Sequence, residues 1–445
     1  MGGIKLFGKK LTTFQIIIIC FAGFILLGTL VLMLPVSTAG EKSATFGDAL
    51  FTATSAVCVT GLVVRDTATY WSAFGQAAIL LMIQVGGLGI ISVAAVMTVI
   101  SGKRISLAQR SVMQDAMSAP QLGGIVRMTL FIVRAAFIFE FIGAAAMAPV
   151  FCKYYGAAGI WMAVFHSISA FCNAGFDIMG AKTGEFSSLT SMSGEPVIVA
   201  VICILIVVGG IGFLTWDDVV TNGIHFKRYR MQSKVIIITS LSLIAIPAVL
   251  MFFTDFSKLP IGERISASLF QAITPRTAGF NTVDVGAMTG GGKFLIVFLM
   301  MIGGSPGSTA GGTKTTTFAV LIANAASVFG RKKSASIFGR RIEDAIVKTA
   351  TAIFTGYILL SLFGAFVIST VEGLPYGDCI FETVSAICTV GLTQGITPML
   401  GTVSRIIIIF LMFTGRVGGL TLVYAAIFKA GVDSKQLPVE KITVG

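Results

Sequence analysis

The feature that most restricts the fold is a short segment that recurs four times along the chain. Each copy is rich in Ser and Thr, is moderately apolar, and ends in a glycine followed by a large hydrophobic residue. Successive glycines lie roughly 110 residues apart, and self-similarity at a fixed spacing indicates a repeat architecture. The four segments are 51–62, 165–176, 270–280 and 381–392, ending at Gly61, Gly175, Gly279 and Gly391.

A second glycine motif follows each of these segments in the same phase. Two independent motifs that keep step predict four copies of one structural unit. The second motif is Gly86-Gly87-Leu88-Gly89, then Gly209-Gly210-Ile211-Gly212, then Gly303-Gly304, and finally Gly418-Gly419.

The residues between the motifs are too apolar for a soluble protein. Hydrophobic residues make up 55% of the chain and charged residues 12%, with a mean hydropathy of +0.92. Runs such as 14–34 and 197–213 approach or reach the roughly 20 residues that a helix needs to cross a bilayer. We interpret 11–35 as the first membrane helix, because it is too long for a signal peptide and lacks a cleavage site.

The net charge of +12 is explained by topology, and nucleic-acid binding is not needed to account for it. Basic residues cluster on the cytoplasmic side of membrane proteins, so both termini are predicted to be cytoplasmic. The clusters are Lys5/Lys9/Lys10, Lys103/Arg104/Arg110, Lys227/Arg228/Arg230/Lys234, Arg331/Lys332/Lys333/Arg340/Arg341 and Lys429/Lys435/Lys441.

Each unit is therefore predicted to contain an outward helix, a re-entrant pore loop and an inward helix. The expected fold is an all-α integral membrane protein with four pseudo-symmetric helix–pore loop–helix repeats, eight membrane helices in total, around a central ion pore. The predicted repeats are 11–100, 125–222, 233–328 and 345–430, followed by a cytoplasmic tail at 431–445.

The glycine-ended segments suit a cation that has lost its water. Carbonyl oxygens can replace a hydration shell, and glycine permits the backbone conformation that turns them inward. Tight turns or close helix packing are the structural alternative, and the recurrence of four glycines in register favours the filter over it. The predicted filter is Cys58, Val59, Thr60, Gly61; Cys172, Asn173, Ala174, Gly175; Arg276, Thr277, Ala278, Gly279; and Cys388, Thr389, Val390, Gly391.

These residues carry a family resemblance. The segments resemble degenerate potassium-channel filters, with Thr389-Val390-Gly391 closest to the channel Thr-Val-Gly. The chain resembles the Trk/Ktr/HKT potassium transporter superfamily over roughly residues 11–430, and it is most similar to the Ktr membrane subunit. In that superfamily a serine at the first filter glycine accompanies sodium preference, so Gly61 points to potassium.

The resemblance implies potassium uptake across the cell membrane by a homodimer. It also implies a cytosolic RCK-type regulatory ring that binds ATP or ADP on the inner face. Exposure and charge make 331–341 and 429–445 the expected docking surfaces for that ring. Whether sodium activates transport or is carried with potassium stays open.

The third inward helix is interrupted. Residues 293–325 would form a helix of about 50 Å, longer than a core of about 30 Å, and their middle is rich in glycine. The resemblance implies a gate loop here, and a kinked helix repaired by Ser, Thr and water is the alternative. The predicted gate is Gly303, Gly304, Ser305, Pro306, Gly307, Ser308, Thr309, Ala310, Gly311, Gly312 and Lys314, together with Arg416.

Two arginines lie at membrane depth, where an unpaired charge is costly. Arg416 is expected to face the pore, and the resemblance implies that it forms an electrostatic barrier below the filter. Pairing with a carbonyl or with Glu140 is the structural alternative. Arg276 is expected to point away from the pore toward a carboxylate, and His166 is expected at the membrane interface.

Two other classes of protein compete with this interpretation. An enzyme is disfavoured, because the glycine motifs lack a preceding strand and the chain shows neither a catalytic set nor a metal or cofactor site. The seven cysteines are scattered and have no metal-ligand spacing. A sodium-coupled alternating-access symporter remains the alternative, although such folds usually show two discontinuous helices and not four loops.

Overall fold

The structure, a computed structural model, describes residues 5–6, 9–10, 12–40, 42–101, 105–117 and 123–418. The predicted tail at 431–445 and part of the fourth predicted repeat lie outside these residues. So do Lys103, Arg104, Gly419 and the last basic cluster, Lys429/Lys435/Lys441.

Within the described residues the regular secondary structure is helical, apart from two short two-stranded hairpins and an isolated bridge between Thr38 and Trp71. The helices are α1 (Thr13–Leu32), α2 (Phe46–Val57), α3 (Thr67–Tyr70), α4 (Ala73–Leu88), α5 (Ile90–Ile100), α6 (Leu107–Met117), α7 (Ile125–Tyr155), α8 (Ala158–Phe171), α9 (Gly180–Thr183), α10 (Pro196–Gly210), α11 (Phe213–Asn222), α12 (Met231–Phe253), α13 (Ile261–Ile273), α14 (Gly290–Met300), α15 (Thr315–Phe329), α16 (Asp344–Glu372), α17 (Tyr376–Ile387) and α18 (Thr402–Val417). The strands are β1 (Lys5–Leu6), β2 (Lys9–Lys10), β3 (Ser336–Ile337) and β4 (Arg340–Arg341).

Four long helices, α1, α7, α12 and α16, are apolar and long enough to cross a membrane. The bent pairs α4/α5 and α10/α11 raise the number of possible spans in the described residues to six. The all-helical prediction agrees with this architecture. The total of eight membrane helices stays a prediction.

A short helix follows each long helix and packs against it: α2, α8, α13 and α17. These short helices have 12 to 14 residues, too few to cross a bilayer. Apart from the half-buried Ile168, these helices are buried from the first residue of each repeated segment to their ends, beginning at Phe51, Phe165, Phe270 and Phe381. The repeated segment is therefore a buried half-helix followed by a loop.

Glycines with positive φ end the inward helices. Gly89 (φ +87°) and Gly212 (φ +94°) separate helices that meet at 95° and 97°, and Gly418 (φ +93°) ends α18. Residues with a Cβ rarely adopt this conformation, so the chain turns sharply where glycine occurs. Between α14 and α15 the break is much longer: residues 301–314, hereafter the inner loop, form no helix.

Candidate functional site

The four glycine loops, residues 58–61, 172–175, 276–279 and 388–391, meet in a closed ring. Each terminal glycine lies so close to the next loop that a Cβ would strike the carbonyl oxygen preceding that loop's glycine. A Cβ would lie 2.5 Å from Ala174 O at Gly61, 2.7 Å from Ala278 O at Gly175, 2.5 Å from Val390 O at Gly279, and against Thr60 O at Gly391.

All four loops share one backbone conformation. The residue two positions before each glycine also has a positive φ, although it is not glycine. Successive changes of backbone handedness rotate neighbouring carbonyls toward the same side, as a carbonyl-lined cation path requires. The pairs are Val59 (+56°) and Gly61 (+95°), Asn173 (+58°) and Gly175 (+68°), Thr277 (+71°) and Gly279 (+80°), and Thr389 (+49°) and Gly391 (+92°).

Hydroxyl residues of the short helices hold these conformations. Ser55 accepts the Thr60 N–H at its carbonyl (2.8 Å) and the Gly61 N–H at its hydroxyl (3.1 Å). Ser385 holds the fourth loop in the same way. In the second and third loops the hydroxyls of Ser169 and Thr274 each donate to the carbonyl just beyond the glycine (2.7 Å). The N–H groups of Ala174 and Ala278 also donate back, to Ser169 O (2.8 Å) and Thr274 O (2.9 Å), so in all four loops the amide before the glycine is bonded to its own short helix or cap.

The inner loop lies directly beneath the ring. A Cβ on Gly303 would reach the Thr277 side chain at 3.2 Å, and one on Gly311 would strike the Thr389 hydroxyl. A Cβ on Gly312 would lie 2.7 Å from the carbonyl oxygen of Cys388. Glycine is needed at these positions because the loop packs backbone-first against the third and fourth glycine loops.

The inner loop is also bonded to the hinge of the second copy. The Ser305 N–H donates to Gly210 O (2.9 Å), the Thr309 N–H donates to Gly209 O (3.2 Å), and the Phe213 N–H donates to Gly307 O (2.7 Å). These bonds satisfy carbonyls and amides that the break in α10/α11 leaves free.

Thr309 connects the inner loop to the second glycine loop. Its hydroxyl donates to Phe171 O (3.0 Å) and accepts from the Asn173 amide Nδ2 (2.8 Å). All of these groups are buried. A movement of the inner loop must therefore break hydrogen bonds made by the ring itself.

Arg416 joins the inner loop to the first copy. Its Nη1 donates to Thr309 O (2.6 Å), and its Nη2 donates to Gly87 O (3.2 Å) and to Gly86 O. The structural alternative for Arg416 was pairing with a carbonyl or with Glu140. The guanidinium pairs with carbonyls, and Glu140 instead accepts from the Gln84 amide at 2.9 Å.

The space below the ring is a cavity of about 270 Å³. Arg416 and Lys314 line it, and its described lining includes no carboxylate. Lys314 donates to the Ala310 and Gly311 carbonyls of the inner loop (2.8 and 3.2 Å). A cation that leaves the ring inward meets the Arg416 guanidinium and the Lys314 amine.

Two sequence expectations fail here. Arg276 does point away from the ring, but its Nη2 donates to the Ser240 hydroxyl (2.9 Å), and the described residues show no carboxylate partner. His166 is completely buried in α8, stacked on Phe151 at 5.3 Å, so its placement at the membrane interface was wrong. Its nearest polar partner is Met162 O at 2.7 Å.

The fourth copy also aligns differently from the expected Gly418-Gly419 match. Gly86, Gly209 and Gly415 each pack against a carbonyl near the end of the preceding short helix, and the break follows three residues later at Gly89, Gly212 and Gly418. In this alignment Arg416 takes the position of Gly87 and Gly210. The spacing in Gly-Arg-Val-Gly was the signal that could have revealed it.

On the far side of the ring the four copies differ. Two residues beyond each glycine stand Val63, Asp177, Asn281 and Thr393, so one position of four is acidic. Asp177 accepts from the Met179 N–H at 3.0 Å. Burial raises the pKa of Asp177 to about 7; the Met179 hydrogen bond opposes the rise and the nearby Asp66 carboxylate adds to it.

The long apolar helices and the ring of backbone carbonyls define an α-helical membrane protein of the cation-transport class. Residues 9–435 match the TrkH family, described as cation transport proteins, and the chain belongs to that family. It is therefore a transporter and not an enzyme.

Curated relatives and a solved structure agree with this family. The chain is 37% identical to the potassium/sodium uptake protein NtpJ of Enterococcus hirae, covering 98% of both chains. It is 38% identical to the Ktr system potassium uptake protein B of Bacillus subtilis, covering 94% of this chain and 93% of that one. The crystal structure of the potassium transporter TrkH from Vibrio parahaemolyticus shares the fold, with a TM-score of 0.72 and 18% identity over 92% of this chain and 83% of that one.

Proposed function

We propose that this chain is the ion-translocating subunit of a potassium uptake system and works like a channel. Four repeats with eight membrane helices surround one pore, and the four glycine loops form its filter. The observation that carries the proposal is the closed ring, in which each glycine lies against a carbonyl of the next loop. Backbone oxygens at such positions replace the water of a potassium ion.

The inner loop acts as the gate. Its hydrogen bonds to Gly209, Gly210 and Asn173 hold it across the path beneath the filter, in support of this role. Arg416, assisted by Lys314, adds an electrostatic barrier, since a guanidinium without a carboxylate partner repels a cation in a confined space of low dielectric. Opening requires the loop to leave the second hinge and Arg416 to release the Thr309 carbonyl.

Control comes from other chains. The subunit forms a homodimer in the cell membrane with both termini in the cytoplasm, and a cytosolic RCK-type ring that binds ATP or ADP docks on its inner face. In support, the relatives from Bacillus subtilis and Vibrio alginolyticus are named as components of Ktr systems. The basic residues 331–341 offer a docking surface.

Sodium is a second candidate ion, because the Enterococcus relative is named for both potassium and sodium. A sodium-coupled symporter would need sodium to drive each cycle. An activated channel would need sodium only for opening.

The test is ion flux into proteoliposomes that contain the purified chain. Potassium-loaded vesicles should take up radioactive rubidium by exchange without any sodium gradient, and the flux should continue after the sodium is equalised across the membrane. A flux that requires an inward sodium gradient would favour the symporter. No flux of rubidium or sodium under any gradient would reject the proposed pathway.

A further inference from the structure

A long apolar groove lies beside the interrupted helix of the third copy. It has a volume of about 590 Å³ and runs between α12, α14 and α15. Val235, Leu250, Phe298 and Ile322 are among its lining residues. Several of these side chains are strongly exposed, including Ile322 at 55%, so an apolar occupant would remove considerable surface from its surroundings.

The groove has the dimensions of a lipid chain. From Val235 to Leu250 it follows α12 for about 22 Å, long enough to hold an acyl chain that crosses one leaflet of the hydrocarbon core, about 15 Å thick. Its walls are almost wholly hydrocarbon and aromatic, with Thr239 and Ser242 as the hydroxyl residues. An acyl chain satisfies such a surface without leaving a polar group unpaired.

One end of the groove is closed by a positively charged hairpin. Ile337 and Phe338 line the groove, and in the hairpin Ile337 pairs with Arg340. Five exposed cations lie in this hairpin or in the segment just before it: Arg331, Lys332, Lys333, Arg340 and Arg341. Among the described residues, only Arg341 of these five forms an ion pair, with Asp344 at 3.1 Å.

We propose that the groove binds an anionic phospholipid, with one acyl chain along α12 and the phosphate on the hairpin 331–341. The positive charge of the hairpin favours an anionic headgroup, because a zwitterionic headgroup would bring its own cation to a surface that already carries several. The apolar groove leads directly to the basic hairpin. This arrangement favours a lipid, which has both an acyl chain and a phosphate, over a free phosphate. A second copy of this chain would place its own basic hairpin nearby, which like charge disfavours.

The occupant would touch both sides of the helix break. Phe298 near the end of α14 and Phe318 near the start of α15 meet edge to face, with ring centroids 5.9 Å apart, and both line the groove. Between them in sequence lies the inner loop. The bound acyl chain would contact both helix ends that flank the inner loop and would restrict their movement.

The test is lipid retention by the purified full chain, followed by native mass spectrometry after exchange into phosphatidylglycerol or phosphatidylcholine. Phosphatidylglycerol should remain bound at a ratio at least about fivefold above phosphatidylcholine. Two changes should each abolish that preference: Ala323→Trp, which fills the groove, and the combined Lys332→Gln, Lys333→Gln and Arg340→Gln, which removes charge. Lipid retention is measured without transport, so it is independent of the proposed ion pathway.

Matched controls separate the site from general surface effects. Ala146→Trp adds the same side chain on an exposed position of α7, and Lys227→Gln with Arg228→Gln removes charge from another exposed loop. Both should retain the lipid. Equal retention of the two lipids, or unchanged retention in both groove variants, would overturn the proposal. So would disulfide formation between two Ile246→Cys copies in the membrane, because a second copy would then fill the groove.

Discussion

The four glycine loops repeat one backbone conformation, whereas the layer directly beneath them holds a different element in each copy. In the ring, the paired positive φ values recur four times and the helix-borne hydroxyl residues recur with them. Below it, the first copy offers the Gly86 and Gly87 carbonyls that accept from Arg416, and the second offers the hinge that binds the inner loop. The third copy supplies the loop itself, and the fourth supplies Arg416.

The difference separates two tasks. A dehydrated ion needs oxygen atoms on all sides, so selection favours four similar loops. An obstruction that must open needs only one movable part and a few bonds that hold it. We therefore expect changes in the ring to affect whether ions bind, and changes below it to affect how fast they pass.

The largest effect is expected in the ring. Gly175→Ala would force a Cβ against Ala278 O at 2.7 Å and Gly279 Cα at 2.8 Å. Strain of about 3 kcal/mol corresponds to rubidium uptake lower by about 100-fold. Gly124→Ala is the matched control, because Gly124 has a similar φ (+76°) but no atom within 4 Å of a Cβ. Equal uptake by the two variants would show that the ring is not part of the ion pathway.

The next effect is expected from shortening the inner loop. Removing residues 305–310 eliminates the bonds to Gly209 and Gly210 and the contact with Asn173. Because the obstruction is lost while the ring is kept, passive rubidium flux should rise about tenfold, since those bonds together are worth over 1 kcal/mol. The measurement is flux in proteoliposomes without any regulatory partner. An unchanged flux would mean that the loop is a repaired kink and not a gate.

A smaller rise is expected from Arg416→Gln. Losing the guanidinium charge from the cavity lowers the barrier to a passing cation by an amount of order 1 kcal/mol, so flux should increase about fivefold. Arg416→Lys keeps the charge and should stay near the original flux. If the Lys and Gln variants behave alike, the arginine acts through its hydrogen bonds to Thr309 and Gly87 and not through charge.

Thr309→Val tests the connection between the two layers. The change leaves Phe171 O and the Asn173 amide without their partner, at a cost of about 0.7 kcal/mol to the closed loop. Passive flux should rise about threefold, and Thr309→Ser should restore it. A loss of flux in Thr309→Val without a change in ion preference would show that the bond supports the open pathway instead.

The smallest effect is expected at Asp177, where the ring's symmetry is broken on its far side. With its pKa raised to about 7, Asp177 is mostly ionised at pH 8 and mostly neutral at pH 6. Its negative charge attracts cations, so rubidium uptake should fall by about twofold as the pH drops through 7. Uptake by Asp177→Asn should be low and independent of pH over this range. A wild type with no such pH dependence would contradict the assignment.

The repeated layer was the part that the sequence could predict. The recurring glycines, the short helices and the interruption of the third inward helix all follow from local composition and spacing. The layer beneath depends on contacts between distant residues, such as Asn173 with Thr309, which are 136 positions apart. Periodicity carries no information about such pairs.

Particular errors have the same origin. Burial of His166 follows from packing against Phe151 of the preceding helix, and Arg276 is satisfied by Ser240, a neutral residue that charge patterns do not reveal. The third segment is one residue shorter than the others between its Phe and its Gly, and this length change was visible in the sequence. It coincides with the copy that carries the inner loop.

The most direct test of the account is the position of the permeant ion. Crystals or membranes of the protein soaked in rubidium or thallium should show heavy-atom density on the axis between Gly61, Gly175, Gly279 and Gly391, within carbonyl contact of all four glycine loops. The density should disappear in Gly175→Ala and persist in Arg416→Gln. Ion density elsewhere, for instance beside Glu140, with an empty ring would contradict the central claim that the four loops form one cation filter.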